Sequence, residues 1–105
     1  MKLLKAQFLT EDRLYEAFAI EHEGALWLVP AWRVSPNGKS MRPERMIRLD
    51  SVPHQRMEDG GSPDIFVNVT IPMSVVTGQA SLKEEGALEV VEDPDITVPV
   101  PVPRH

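Results

Sequence analysis

The chain has 105 residues, of which 42% are hydrophobic and 26% are charged, and its formal net charge is −5. A chain of this length can build one modest hydrophobic core, which excludes a multidomain organisation. It contains no cysteine, which excludes disulfide bonds, thiolate nucleophiles and thiolate zinc sites. No apolar run reaches the roughly 18 residues of a membrane-spanning helix, and polar residues interrupt the N-terminal segment where a signal peptide would be apolar. We therefore expect a cytoplasmic domain without a membrane partner.

The secondary structure of one segment, residues 11–22, is ambiguous from the sequence. Thr10 precedes two acidic residues, apolar residues share one helical face and Gly24 follows, which together fit a capped helix. The competing prediction is a strand over residues 15–22 that pairs with the apolar run after the Glu23-Gly24 turn. A short turn beside such an apolar run is typical of a β-hairpin. We favour the strand and keep a helix at 11–22, which would give an α+β fold, as the alternative.

Residues 25–50 predict the next two strands of an antiparallel meander. Residues 25–34 are apolar and rich in aromatic and β-branched side chains, and the stretch 35–38, Ser-Pro-Asn-Gly, has the composition of a turn. Residues 45–50 alternate in side-chain character with the period of a strand. Pro30 has no amide donor, so we expect a bulge or an unpaired edge at that point.

The second half of the chain contains the clearest strand, over residues 65–71, where apolar side chains alternate with Asn68 and Thr70. Pro72 is suited to open a short helix that ends at Gly78. The capping-box spacing at 81–84 predicts at most one further helical turn. A closing strand is expected over residues 88–91.

These elements predict a mainly β fold: a small antiparallel meander or partly open barrel of about five strands, with one or two short helices. One globular domain is expected over residues 1–95. In residues 96–105 valine alternates with proline, which removes every second amide donor, so we expect an extended Val-Pro arm and not a central strand. The expected core is Leu14, Phe18, Ile20, Leu26, Leu28, Ile47, Leu49, Ile65, Val67, Val69, Ile71 and Val90.

Charge is segregated along the chain. Residues 33–56 have six basic and two acidic side chains, net +4, whereas residues 57–105 have two basic and nine acidic ones, net −7. Arginines on a sheet face can bind carboxylates or phosphates in a bidentate fork. Because a net acidic chain opposes long-range attraction to nucleic acid, a protein partner is favoured for this face. The predicted acidic surface consists of Glu84, Glu85, Glu89 and Glu92.

No motif in the sequence indicates a catalytic site or a metal site, so we expect neither an enzyme nor a cofactor. We predict a non-enzymatic protein-interaction module, a small accessory, inhibitor or adaptor subunit that binds a protein partner or itself. The alternative is single-stranded nucleic-acid binding through tryptophan and arginine on a sheet face. The competing structural interpretation places both tryptophans in the core and leaves the arginines solvated. The predicted partner-binding residues are Trp27, Trp32, Arg33, Arg42, Arg45, Arg48, Val98, Val100 and Val102.

Overall fold

The computed structural model describes residues 3–59, 62–79 and 88–101. These residues form a mainly β fold with eight strands and one very short helix. The strands are β1 Leu3–Leu9, β2 Leu14–His22, β3 Ala25–Val34, β4 Ser40–Arg48, β5 His54–Asp59, β6 Ser62–Thr70, β7 Val90–Glu92 and β8 Val98–Pro99, and the helix is α1 Met73–Val76.

The strands form one open, mostly antiparallel sheet in the order β5-β6-β1-β2-β3-β4-β7, and β8 also pairs with β4. Only the β1–β6 pair is parallel among the strand pairs of the described residues. Of the predicted strands, those at 15–22, 25–34 and 45–50 correspond to the consecutive antiparallel strands β2, β3 and β4 of this larger sheet, whereas β1, which lies between β2 and β6, was not predicted. The short helix expected after Pro72 is confirmed as α1, whereas the turn expected at 81–85 lies outside the described residues. No helix in the described ranges is long and apolar enough to cross a membrane.

Residues 14–22 form a strand, so the helix alternative at 11–22 is wrong. Strand β2 pairs with β1 over its whole first part, from Leu14 opposite Leu9 to Ile20 opposite Leu3, and with β3 from Phe18 to His22. A helix would satisfy its own backbone but leave the facing edges of both neighbours unpaired. The hairpin turn is made by Glu23 and Gly24, which both adopt positive φ, as primed turns require.

Strand β3 is apolar on both faces, and the fold contains a hydrophobic cluster on each side of it. Leu26 and Leu28 point to the inner face, towards β1, β6 and α1, while Trp27 and Val29 point to the outer face. Arg56 of β5 donates a hydrogen bond to Glu21 of β2 across the inner face. Strands β5 and β2 are three places apart in the strand order, which corresponds to about 14 Å in a flat sheet. A direct hydrogen bond between them therefore requires the sheet to curl around its inner face.

Most of the expected core residues are buried. Those with almost no exposed surface are Ile20, Leu26, Leu28, Ile47, Leu49, Ile65, Val67 and Ile71. Phe18, Val69 and Val90 are half-buried. Leu14 is the exception: it is the first residue of β2 and is 45% exposed, because no described element covers this end of the strand.

The C-terminal segment, which we define as residues 88–101, lies over the outer face of the sheet. Ile96 and Val98 are buried in the outer cluster, and Val98 is only 1% exposed. Val98 pairs with Met41 and Pro99 with Ser40 of β4, and the amide of Val100 donates to the carbonyl of Lys39, which precedes β4; the prolines have no amide hydrogen to donate. The expected Val-Pro arm at 96–105 therefore contributes to the domain core over its described part.

Replacing Val98 by alanine should reduce the free energy of unfolding by about 1–3 kcal/mol, because it leaves a cavity against the outer face of β3. Chemical denaturation measures this loss. Thr97→Ala, at the exposed neighbouring position, is the control and should stay within about 0.5 kcal/mol of the wild type. Equal stability of the two variants would contradict a core role for the C-terminal segment.

Candidate functional site

The arginines of β3 and β4 are paired with carboxylates of the C-terminal segment. Individually such exposed pairs stabilise a fold little, but together they place the acidic end of the chain against its basic middle. The predicted arginine face is therefore largely neutralised from within. The pairs are Arg48–Glu89 at 3.2 Å, Arg45–Glu92 at 3.4 Å, Arg42–Asp95 at 3.7 Å and Arg33–Asp93 at 3.8 Å.

Arg45 has an internal structural role. Its side chain is only 13% exposed, and its Nη1 donates a 2.7 Å hydrogen bond to the carbonyl of Val76 in α1. The guanidinium occupies the space beside Gly78, where an added Cβ would lie 2.6 Å from Nη2. Gly78 also adopts φ +79°, which favours glycine. Arg45 thus attaches the helix to β4 and offers little surface to a partner.

Both tryptophans belong to the outer cluster. A regular strand would place Trp27 and Trp32, five residues apart, on opposite faces. Register shifts in the β3–β4 pairing between Leu28 and Trp32, next to Pro30, bring both rings to the same side. Trp27 is 7% exposed and Trp32 is half-buried. Neither indole Nε1 has a hydrogen-bond partner among the described residues.

A groove of about 520 Å³ lies where the C-terminal segment crosses the outer face beside the β2–β3 turn. The buried side chains of Trp27, Met46 and Ile96 form its apolar floor. Its polar rim consists of His22, Glu23, Arg48, Glu89 and Asp95. With His22 neutral, three carboxylates stand against one guanidinium, so the rim has a net charge of −2. We call this feature the Trp27 groove.

Arg48 is held in place within the Trp27 groove. Its guanidinium lies 6.0 Å from the centre of the Trp27 ring and bonds to Asp50 at 2.9 Å and to Glu89 at 3.2 Å. The hydrogen bond from Arg48 lowers the pKa of Asp50 below its ordinary value, and the bonds to Asp50 and Glu89 raise the pKa of Arg48. Since Arg48 is already matched by two carboxylates, Glu23 and Asp95 supply the acidic character of the remaining rim.

The two other rim carboxylates are well exposed. Glu23 is presented by the β2–β3 turn and lies 3.8 Å from His22, while the side chain of Asp95 contacts the exposed Arg42 at 3.7 Å. Both therefore remain accessible to an incoming cation. The Trp27 groove combines an aromatic and apolar floor with carboxylates that are free to approach a ligand.

A second cavity, of about 360 Å³, lies over β1, β2 and β6. Lys5, Glu16 and Asp64 line it, together with Phe18. One oxygen of Asp64 is buried without a hydrogen-bond partner in the described part of the chain. The cavity contains charges of both signs and none of the predicted partner-binding residues.

The structure brings together three of the residues that the sequence singles out: Trp27, Arg48 and Glu89 all line the Trp27 groove. The other described ones are distributed between ion pairs and the outer cluster. Glu84, Glu85 and Val102 lie outside the described residues. Nothing local in the sequence indicates that the turn at 23–24 and the Asp-Pro-Asp stretch meet, so His22, Glu23 and Asp95 were not predicted to belong to one site. Of the other predicted site residues that are described, the ones in ion pairs are Arg33, Arg42, Arg45 and Glu92, and the ones in the outer cluster are Trp32, Val98 and Val100.

Within residues 3–59, 62–79 and 88–101, no group of three or more histidine and acidic side chains is arranged to hold a metal ion.

Comparison of the chain with protein-family models, with curated proteins and with solved structures finds no match. The chemistry of the Trp27 groove is therefore the basis for a functional proposal.

Acidification tests the Arg48–Asp50 contact. The folded-state pKa of Asp50 lies below its ordinary value of 3.8, so its stabilising contribution is present above that pH and is lost as the pH falls through the folded pKa. We expect the unfolding free energy of Asp50→Asn to fall less between pH 5 and pH 2 than that of the wild type, by the small amount typical of an exposed pair.

Denaturant titrations across this pH range make the measurement. Arg48→Gln removes the same hydrogen bond from the other side, so it should flatten the acid dependence as well, and the double variant should add little. An acid dependence that is identical in wild type and both variants would contradict the pairing.

Proposed function

We propose that this chain is a non-enzymatic protein-interaction module that binds a basic segment of a protein partner in the Trp27 groove. The observation that carries the proposal is the combination of a buried apolar floor with a rim of net charge −2. Such a site suits the side chain of lysine or arginine, whose methylenes pack on apolar surface while the charged end reaches carboxylates.

The dimensions and the charge of the molecule support this proposal. A volume of about 520 Å³ is in the range of binding sites for small ligands or a few side chains. The net charge of −5 attracts basic partners at long range and speeds their encounter.

The nucleic-acid alternative has less support. The arginines that would contact phosphates are engaged by Glu89, Glu92, Asp93 and Asp95, and the acidic rim would repel a phosphate backbone. The ring of Trp27 is almost completely buried, which leaves little area for stacking on a base. No observation on the described surface favours this second function.

Tryptophan fluorescence can test binding at the groove. In a Trp32→Phe background the emission reports on Trp27 alone, because the chain has two tryptophans. A short peptide of alternating lysine and glycine should change this emission saturably, with an affinity that decreases as salt is added. A peptide of alternating glutamate and glycine should have no effect. An equal response to both peptides would contradict the proposal.

Charge reversal at the rim locates the binding site. Glu23→Lys and Asp95→Lys should each weaken binding of the lysine peptide by about tenfold, because each places a like charge beside the ligand. Glu16→Lys causes the same change of net charge at an exposed position on β2 that is outside the groove, and should have a much smaller effect. If all three variants weaken binding equally, the attraction is only long-range and the groove is not the site.

A further inference from the structure

Strand β5 is one end of the sheet, and within the described part of the chain no strand pairs with its outer edge. It pairs only with β6 among the described elements, in continuous register from His54 opposite Val67 to Asp59 opposite Ser62. An unpaired strand edge presents a row of amide and carbonyl groups that can accept another strand. Such an edge is a candidate interaction surface, separate from the Trp27 groove.

The backbone groups that point outward can be identified. The carbonyl of Pro53 accepts a 3.0 Å hydrogen bond from the amide of Asn68, so position 53 faces β6. Hydrogen-bonded positions alternate along an antiparallel strand, so 55, 57 and 59 also bond to β6, whereas 54, 56 and 58 face outward. Pro63, which has no amide hydrogen, lies opposite Glu58, where no donor towards β5 is needed.

The opposite end of the sheet is protected in a way that β5 is not. Strand β7 has three residues and is soon followed by Pro94, and β8 has two residues and includes Pro99. Short strands and prolines are common means by which proteins prevent edge pairing. Strand β5 has six residues and no proline, and it exposes 41% of Met57, a large apolar side chain.

The sequence of β5 is complementary to itself in antiparallel orientation. Outward positions of one copy must meet outward positions of the other, and three symmetric registers achieve this for at least two of positions 54, 56 and 58 in each copy. A register centred on Met57 sets Met57 opposite its own counterpart and Arg56 opposite Glu58 on both sides. A register centred on Arg56 sets like charges opposite each other, which is destabilising. A register centred on Gln55 pairs His54 with Arg56 and leaves Glu58 without a partner.

We propose that this edge binds a second copy of the chain, with the two β5 strands antiparallel and centred on Met57, so that two sheets join into one. Arg56 bonds to Glu21 of its own chain at 3.1 Å but remains half-exposed, and its guanidinium has further donors for the second copy. Strand β5 supplies no residue to the Trp27 groove, so this contact is independent of the proposed partner binding.

Sedimentation velocity of the full chain over a range of concentrations tests the proposal. The wild type should form a dimer, and Arg56→Glu and Glu58→Arg should each weaken it about tenfold, because each places like charges opposite each other twice. The double variant Arg56→Glu/Glu58→Arg restores opposite charges and should recover most of the affinity. Glu16→Arg, on the interior strand β2, makes the same charge change as Glu58→Arg and should leave the dimer intact.

Glu58→Arg preserves the Arg56–Glu21 bond, so it separates dimerisation from the stability of the monomer, which thermal unfolding monitors in parallel. A monomer up to millimolar concentration would overturn the proposal. So would a dimer that the single variants leave unchanged or that the double variant fails to restore. Glu23→Lys at the groove should not affect the dimer, which keeps this test distinct from that of partner binding.

Discussion

The fold depends on a strand that is apolar on both faces. Residues Ala25 to Val29 of β3 are all buried, so each side of this strand must be covered by other parts of the chain. The inner side is covered because the sheet curls and brings β1, β6 and α1 over Leu26 and Leu28. The outer side needs a separate cover, and the C-terminal segment provides it with Ile96 and Val98. Burial of these side chains is worth on the order of 2 kcal/mol each.

The distribution of charge and the groove both follow from this cover. Once the C-terminal segment crosses the outer face, its carboxylates lie beside the arginines of β4, and the two charged regions neutralise each other. The segment does not seal the end of the face near the β2–β3 turn, where Trp27 forms the floor of a groove. The residual acidity of the rim comes from Glu23 and Asp95, whose side chains stay exposed; among the described residues Glu23 contacts His22 and Asp95 contacts Arg42. A surface that the sequence presents as basic is thus acidic at the Trp27 groove.

The parts of the structure that a local residue pattern encodes could be predicted from the sequence. Strand β6 was predictable because apolar side chains alternate over residues 65–71, and α1 because Pro72 and Gly78 mark its limits. The groove was only partly predictable: Trp27 and Arg48 were candidates on composition, but Glu23 and Asp95 are distant in sequence and meet only through folding. The segment 11–22 fitted both a strand, which was favoured, and a capped helix, and its pairing with β1 and β3 decided between them.

By itself, the sequence determined the mainly β character, the hairpin around β3 and most of the core, because side-chain alternation and turn residues act over a few positions. Tertiary structure alone decided the parallel pairing of β1 with β6, the position of β5 at the edge and the packing of the Val-Pro stretch. The physical reason is that the chemical character of a residue shows whether it must be buried or paired with an opposite charge. It does not show which distant residue will bury it or pair with it. A stretch of valines alternating with prolines can adopt the same extended conformation whether it packs on its own chain or on another molecule. Here it packs on the outer face of its own sheet, because the outer side of β3 has to be buried.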